Sequence, residues 1–265
     1  MRSRVIASLV FLVCGLPVSA LAGQWTKSYP VSGRPELFVS TGDGDVRLEV
    51  WDQPRIDARI DTVGYEIDKD FRIIESQAGN RVSIETKFPT FGFGMHVGRR
   101  SLTLTLKIPR EATLDIHTGD GDMTITGAKG DIRLRTGDGT IDARQLDGRV
   151  TASSGDGNIG IDGRFDLLDL HSGDGDVEAT ARSGSTVAAA WNVRTGDGSV
   201  TMRLPADFRA DIDAHTNDGH VTFDMPVTMS GPVNRSRFRG VLNGGGGLLT
   251  VHTGDGSIRV ARSDR

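Results

Sequence analysis

Between Asp131 and Ser185 the chain says one thing three times without insertion: IRLRTGDGTIDARQLDG, VTASSGDGNIGIDGRFD and LLDLHSGDGDVEATARSG. A turn phrase of the form Thr/Ser-Gly-Asp-Gly places its aspartate at Asp120, Asp138, Asp156 and Asp174, each 18 residues after the last. The phrase returns at Asp43, Asp197, Asp218 and Asp255, at spacings stretched by insertions. A fixed short period means one structural unit copied along the chain. Such a unit cannot bury its apolar face alone and does so by stacking on its neighbours.

The residues of one unit define its shape. Apolar Ile132 and Leu134 alternate with Arg133 and Arg135, and after Gly137-Asp138-Gly139 apolar Ile141 and Ala143 alternate with Asp142 and Arg144, as far as Asp147-Gly148. Period-two alternation over about five residues is a half-buried strand, and Gly-Asp-Gly is a turn. One unit therefore reads strand, turn, strand, turn. Eighteen residues are too few for a crossover through a helix. The expected fold is all-β: a single-stranded, parallel, β-helix-like solenoid of about 18 residues per coil, right-handed by the rule for parallel crossovers. Thr136, Ser154, Ser172 and Thr195 share the parity of Ile132 and Leu134, so they are expected to point inward as a hydroxyl ladder.

The first 22 residues stand apart. Arg2 and Arg4, the apolar run Val5–Leu16 and the small-residue site Ala20-Leu21-Ala22 read as a secretory signal peptide cleaved after Ala22. The only cysteine, Cys14, lies in that run, so the mature chain is expected to hold no disulfide, no thiolate metal site and no transmembrane segment. Export to a periplasm, a cell surface or the medium follows. Residues 23–110 read as strand-rich cap and first coils, and 111–265 as the regular repeats. Glycine, 35 of 265 residues, suits a fold with a tight turn every nine or so positions. Acidic and basic residues alternate along the outward positions with no basic stripe, which excludes nucleic acid as the natural partner. Two stretches break the pattern. Phe88–Arg100, rich in glycine and phenylalanine, reads as a loop over the end coil or a sticky patch. Asn234–Gly247, with Arg235, Arg237, Arg239 and four glycines, reads as a flexible hairpin or a basic contact loop.

Several phrases occur in a set order: the alternation ending at Trp51-Asp52, LTLKIPREATLDIHTGDGDM, the serial turns, LPADFRADIDAHTNDGHVTF and the closing GGGGLLTVHTGDGSIRV. Together they resemble the bacterial β-strand-repeat family of unknown function known as putative adhesins, similar to the head domain of autotransporter adhesins. The resemblance runs from Trp25 to about Ala261. It implies an exported all-β solenoid and brings no catalytic residues with it.

Three constellations bear on chemistry. Asp43, Asp120, Asp138, Asp156, Asp174, Asp197, Asp218 and Asp255 form one column, with neighbouring carboxylates roughly 5 Å apart, where like charges repel by about 1 kcal/mol in water. Each aspartate is expected to hydrogen-bond its own turn while the glycines supply unusual dihedrals. The alternative is calcium held along the column, although the spacing differs from the calcium-binding β-roll repeat. The position before each Thr/Ser reads Ser40, His117, Arg135, Ser153, His171, Arg194, His215 and His252. That lane either offsets the neighbouring acids or holds a metal, above all at His215 with His252 if those coils touch. A carboxylate pair for polysaccharide cleavage would need two environments in a groove, whereas every aspartate here belongs to the repeat. No catalytic motif and no cofactor is implied. The expectation is thus a non-enzymatic exported scaffold whose partner is a protein or cell-surface component. A calcium- or carbohydrate-binding module comes second and a polysaccharide-active enzyme third. Trp191, Phe208, Phe223 and Phe238, the candidate sugar-stacking aromatics, share no repeat position.

Overall fold

The computed structural model describes residues 22–89, 100–229 and 235–263. Residues 1–21 and 90–99 of the expected signal peptide and of the Phe88–Arg100 stretch lie outside the described residues. The described chain is built from strands β1 (Ala22–Pro30), β2 (Glu36–Ser40), β3 (Asp45–Trp51), β4 (Arg55–Val63), β5 (Arg72–Ala78), β6 (Arg81–Lys87), β7 (Ser101–Pro109), β8 (Glu111–His117), β9 (Met123–Thr126), β10 (Lys129–Arg135) and β11 (Ile141–Ser154). There follow β12 (Ile159–Ser172), β13 (Val177–Ala181), β14 (Trp191–Thr195), β15 (Val200–Leu204), β16 (Ala210–Thr216), β17 (Val221–Asp224), β18 (Thr228–Met229), β19 (Arg237–Leu242), β20 (Leu248–Thr253) and β21 (Ile258–Arg262). None of the described residues is helical.

The alternation sets the faces. In β10, Ile132 and Leu134 are buried while Arg133 and Arg135 are exposed; in β11, Ile141 and Ala143 are buried and Arg144 is exposed. Like strands pair in parallel. Ile132 lies between Leu114 and Val150, and Ile141 between Met123 and Ile159. In this run the partners stand 18 residues apart, as Lys129 and Glu111 do. The inward residues of all coils join in one apolar core. Phe165, Trp191 and Phe208 fill its corner away from the turn phrases, with ring centroids 6.1 and 5.0 Å apart. Trp191 and Phe208 are therefore core residues and offer nothing to a sugar.

In two units the expected second turn is replaced by continuous strand. β11 and β12 run 14 residues each, straight through the positions expected to break them. A bulge at Gln145, with φ of 56°, and Gly148, with φ of 125°, let β11 round the corner while still pairing with β12. Arg164 ties this corner to the next coil, binding both Asp147 and Asp166, and its guanidinium holds the Asp166 carboxyl below the usual range.

Coil order in space departs from chain order at both ends. The β2–β3 coil lies between β6–β7 and β8–β9. The β20–β21 coil, last in the chain, lies between β14–β15 and β16–β17. The caps are antiparallel: β1 on β4 and β4 on β7, β5 on β6, β19 on β16 and β18 on β19. Antiparallel strands end the repeat and cover the open edges of the stack. The stretch Asn234–Gly247, expected as a flexible hairpin or a basic contact loop, does not pair with itself among the described residues: its strand β19 is one of these caps, paired with β16 and β18, and Asn234 lies outside the described residues. Arg237 and Arg239 on β19 both reach Asp213 on β16, and Asn243, Gly244 and Gly245, all at positive φ, make the tight return into β20.

Glycine is required where successive coils touch. A Cβ on Gly157 would lie 2.0 Å from the Gly139 carbonyl oxygen, whereas one on Gly160 would meet nothing nearer than 3.8 Å. Gly157→Ala should therefore destabilise by about 3 kcal/mol or more, the upper end for overpacking against backbone. Gly160→Ala should be neutral or stabilise by about 0.5–1 kcal/mol, the usual gain from removing a strand glycine. Urea unfolding of the two variants checks this, and equal losses would contradict the packing described.

Candidate functional site

The turn phrases stack into one edge of the molecule, and three columns run along it. The innermost is the hydroxyl ladder. Thr41, Thr118, Thr136, Ser154, Ser172, Thr195, Thr216 and Thr253 are all buried, as their parity requires. Each hydroxyl from the second coil on donates to the carbonyl of the last glycine in the coil before. Ser154 Oγ reaches Gly139 at 3.0 Å, Ser172 reaches Gly157 at 2.9 Å and Thr195 Oγ1 reaches Gly175 at 2.8 Å. Thr253 then reaches Gly198 at 2.6 Å and Thr216 reaches Gly256 at 2.8 Å, which fixes the inverted order of the last two coils. The same oxygens accept the N–H of their own turn, for instance Gly139 to Thr136 at 3.1 Å and Gly157 to Ser154 at 2.9 Å. A hydroxyl can donate once and accept twice, so one small side chain closes its turn and bonds the next.

The aspartates do something else. All eight are exposed. Among the described residues no hydrogen bond or ion pair reaches Asp43, Asp120, Asp138, Asp156, Asp174, Asp197, Asp218 or Asp255 through its carboxylate. The expected bond from each aspartate to its own turn is therefore corrected: Thr or Ser closes the turn. The carboxylates lie along the stack instead, with Asp120 Oδ1 3.3 Å from where a Cβ of Gly137 would be and Asp138 Oδ1 3.5 Å from that of Gly155. The reason for the glycines is corrected as well. None of those in the phrases has positive φ. They are small because the next coil's backbone is against them: Gly137 N donates to Gly119 O at 2.5 Å and Gly155 N to Gly137 O at 2.5 Å. Two coils depart: Gly42 and Gly44 face the Phe88 and Leu102 side chains, and the terminal coil has Asn217 in the place of the first glycine with a longer bond of 2.9 Å to Gly254 O.

A second polar column escaped the sequence reading. In several coils the residue after the phrase offers its side chain to the backbone of the next coil: Asp45 to Asp122 N at 3.2 Å, Asp122 to Thr140 N at 2.8 Å, Asn158 to Asp176 N at 2.8 Å and Asp176 to Ser199 N at 2.7 Å. The signal was present, since that position is short and polar in every one of these coils.

On the adjoining face the lane before the phrase is continuous in space. Ser40 lies beside His117, then come Arg135, Ser153, His171, Arg194, His252, His215 and Arg237. Of its four histidines, His215 and His252 sit on neighbouring strands, their rings stacked with centroids 5.4 Å apart. Phe223 and Phe238 stack on each other at 3.9 Å near the terminal coil. Among the described residues no three His, Cys, Asp or Glu side chains converge on a point that could hold a metal ion. No described helix is long and apolar enough to cross a membrane.

Parallel strands stacked coil on coil, with one repeated turn and antiparallel caps, define an all-β, open-sheet protein of β-solenoid-like type. The Toastrack DUF4097 family model matches residues 36–261, and the chain belongs to that family. No curated protein matches the sequence. The solved structures it is similar to include a "putative cell adhesion protein" from Clostridium sporogenes at 13% identity, covering 92% of this chain and 100% of that one, with a TM-score of 0.46. A "putative adhesin" from Bacteroides fragilis has 12% identity, coverage of 90% and 97%, and a TM-score of 0.42. A "putative lipid binding protein" from Parabacteroides distasonis has 12% identity, coverage of 89% and 96%, and a TM-score of 0.39.

The division of labour between hydroxyl and carboxylate can be measured. Replacing Asp138, Asp156 and Asp174 together by Asn should leave the thermal midpoint unchanged or raise it slightly, because repulsion is removed and no bond is lost. Thr136→Val should cost about 1–3 kcal/mol, the loss expected when buried partners are left unpaired. Its partners are Gly119 O, Gly121 O and Gly139 N. A triple variant that melts well below the wild type would contradict the assignment.

Proposed function

We propose that this is an exported, non-enzymatic interaction scaffold of the cell envelope that presents its turn edge to a protein or cell-surface component. In this reading residues 1–22 direct export, 23–110 supply the cap and first coils, and 111–265 supply the remaining coils. The coils wind as a right-handed solenoid of about 18 residues per turn. The observation that supports it is the aspartate column: eight exposed carboxylates at one strand pitch, about 4.8 Å, that take no part in the hydrogen bonds of their own turns. The fold does not need their charge, and an interaction surface does. A rigid row of like charges at fixed spacing recognises cationic or hydroxyl-rich partners by complementarity more than by buried area.

Binding of the purified chain to isolated envelope fractions, followed by sedimentation, tests this. Saturable binding that weakens with salt and is lost in the Asp138/Asp156/Asp174→Asn variant, at unchanged thermal midpoint, is the expected result. Intact-mass analysis of the exported protein should find it beginning at Gly23. Equal binding by the wild type and the Asn variant would reject the column as the recognition face. Stabilisation by calcium that the variant lacks would move the column to cation binding.

A further inference from the structure

We propose that His215 and His252 form a two-nitrogen site for a divalent transition-metal ion of the zinc, nickel or copper class. The pair exists because of the inverted coil order. β20 threads between β14 and β16, and this sets His252 beside His215 in register although 37 residues separate them. The rings stack with centroids 5.4 Å apart and planes 23° from parallel. His252 Nδ1 lies 3.2 Å from the carbonyl oxygen of His215, and His215 Nδ1 lies 3.2 Å from that of Ser236. A carbonyl oxygen only accepts, so both Nδ1 atoms carry their proton and donate it. In a neutral ring this leaves the lone pair on Nε2. A backbone carbonyl that fixes the tautomer and orients the ring is the usual support behind a metal-bound imidazole.

The two imidazoles are half-buried, so their backbone bonds hold them while solvent reaches the site. Metal–nitrogen bonds of about 2.0–2.1 Å require the two Nε2 lone pairs to converge, so the near-parallel rings turn out of their stack when the ion binds. Coordination replaces two metal-bound waters by two imidazole nitrogens; no proton leaves a neutral ring and no electron moves. Nitrogen donors select zinc, copper and nickel, while calcium and magnesium prefer oxygen. The charged neighbours are Arg194 beside His252 and Arg237 beside His215, with Arg237 and Arg239 both bound by Asp213. The other two histidines of the lane lack this arrangement: His117 lies between Ser40 and Arg135, and His171 between Ser153 and Arg194. A metal at the pair would clip the threaded coil to the terminal coil. The site stands independently of the aspartate column.

Calorimetric titration of the chain, carrying no histidine tag, with nickel or zinc chloride tests this. One ion per chain with micromolar affinity is expected, together with a thermal midpoint that rises with nickel and not with calcium. His215→Ala and His252→Ala should each abolish binding, and His117→Ala and His171→Ala should keep it. Nitrogen-15 spectra of the wild type should show the Nε2 resonances of two histidines moving on metal addition, a readout independent of the variants' folding. No binding at millimolar metal, binding that survives in the double His215/His252→Ala variant, or half an ion per chain would each overturn the proposal.

Discussion

Successive turn phrases leave no room between them. The carbonyl oxygen of one coil's last glycine occupies the place where the next coil's glycine would carry a Cβ: 2.1 Å for Gly139, 2.0 Å for Gly157 and 2.2 Å for Gly175. Three other features follow from that contact. It brings the first-glycine N–H groups onto the preceding carbonyls at 2.5–2.7 Å along the run from Gly119 to Gly254. It puts each buried hydroxyl within reach of the coil before. It also forces the outward side chains into straight lanes at one strand spacing, which is how aspartates and histidines far apart in sequence come to share a line.

Pitch and parity were legible because both are periodic. The spacing of Asp120, Asp138, Asp156 and Asp174 foretold parallel partners such as Ile132 and Val150, and the parity of Thr136 foretold its burial. Order was not legible. Every coil carries nearly the same phrase, so nothing local tells the coil of Asp255 to sit inside that of Asp218. The cue lies in what surrounds the phrases: the terminal coil alone tolerates Asn217, and the β18–β19 cap can follow only a coil with an open edge. The corner at Gln145–Gly148 was misread because a glycine that bends a paired strand and one that breaks it look alike in sequence.

The aspartates show why residue type alone misassigned the turn. Asp, Ser and Thr all form side-chain-to-backbone turns, and glycine is chosen either for dihedral freedom or for close approach. Here Thr or Ser makes the turn and glycine answers to approach, which leaves the aspartate without a structural task. The proposed interaction surface rests on these eight exposed carboxylates, which make no hydrogen bond or ion pair among the described residues. The short polar residue after each phrase looks equally exposed in sequence, yet in several coils its side chain bonds the next coil's backbone.

The stack is thus held by identical contacts whose order the chain connectivity does not dictate, and cysteine pairs read that order directly. Apart from Cys14 in the first 22 residues, the chain has no cysteine to compete. Thr201 and Arg259 are register partners, as are Arg259 and Thr222, so Thr201 and Thr222 stand two strands apart. Neighbouring strands at about 4.8 Å lie within the reach of a disulfide, and twice that distance does not. The Thr201→Cys/Arg259→Cys protein should oxidise to an intramolecular disulfide in the folded state, and Thr201→Cys/Thr222→Cys should stay reduced. Efficient bridging of the second pair and not the first would mean that the coils stack in chain order, and would contradict the account.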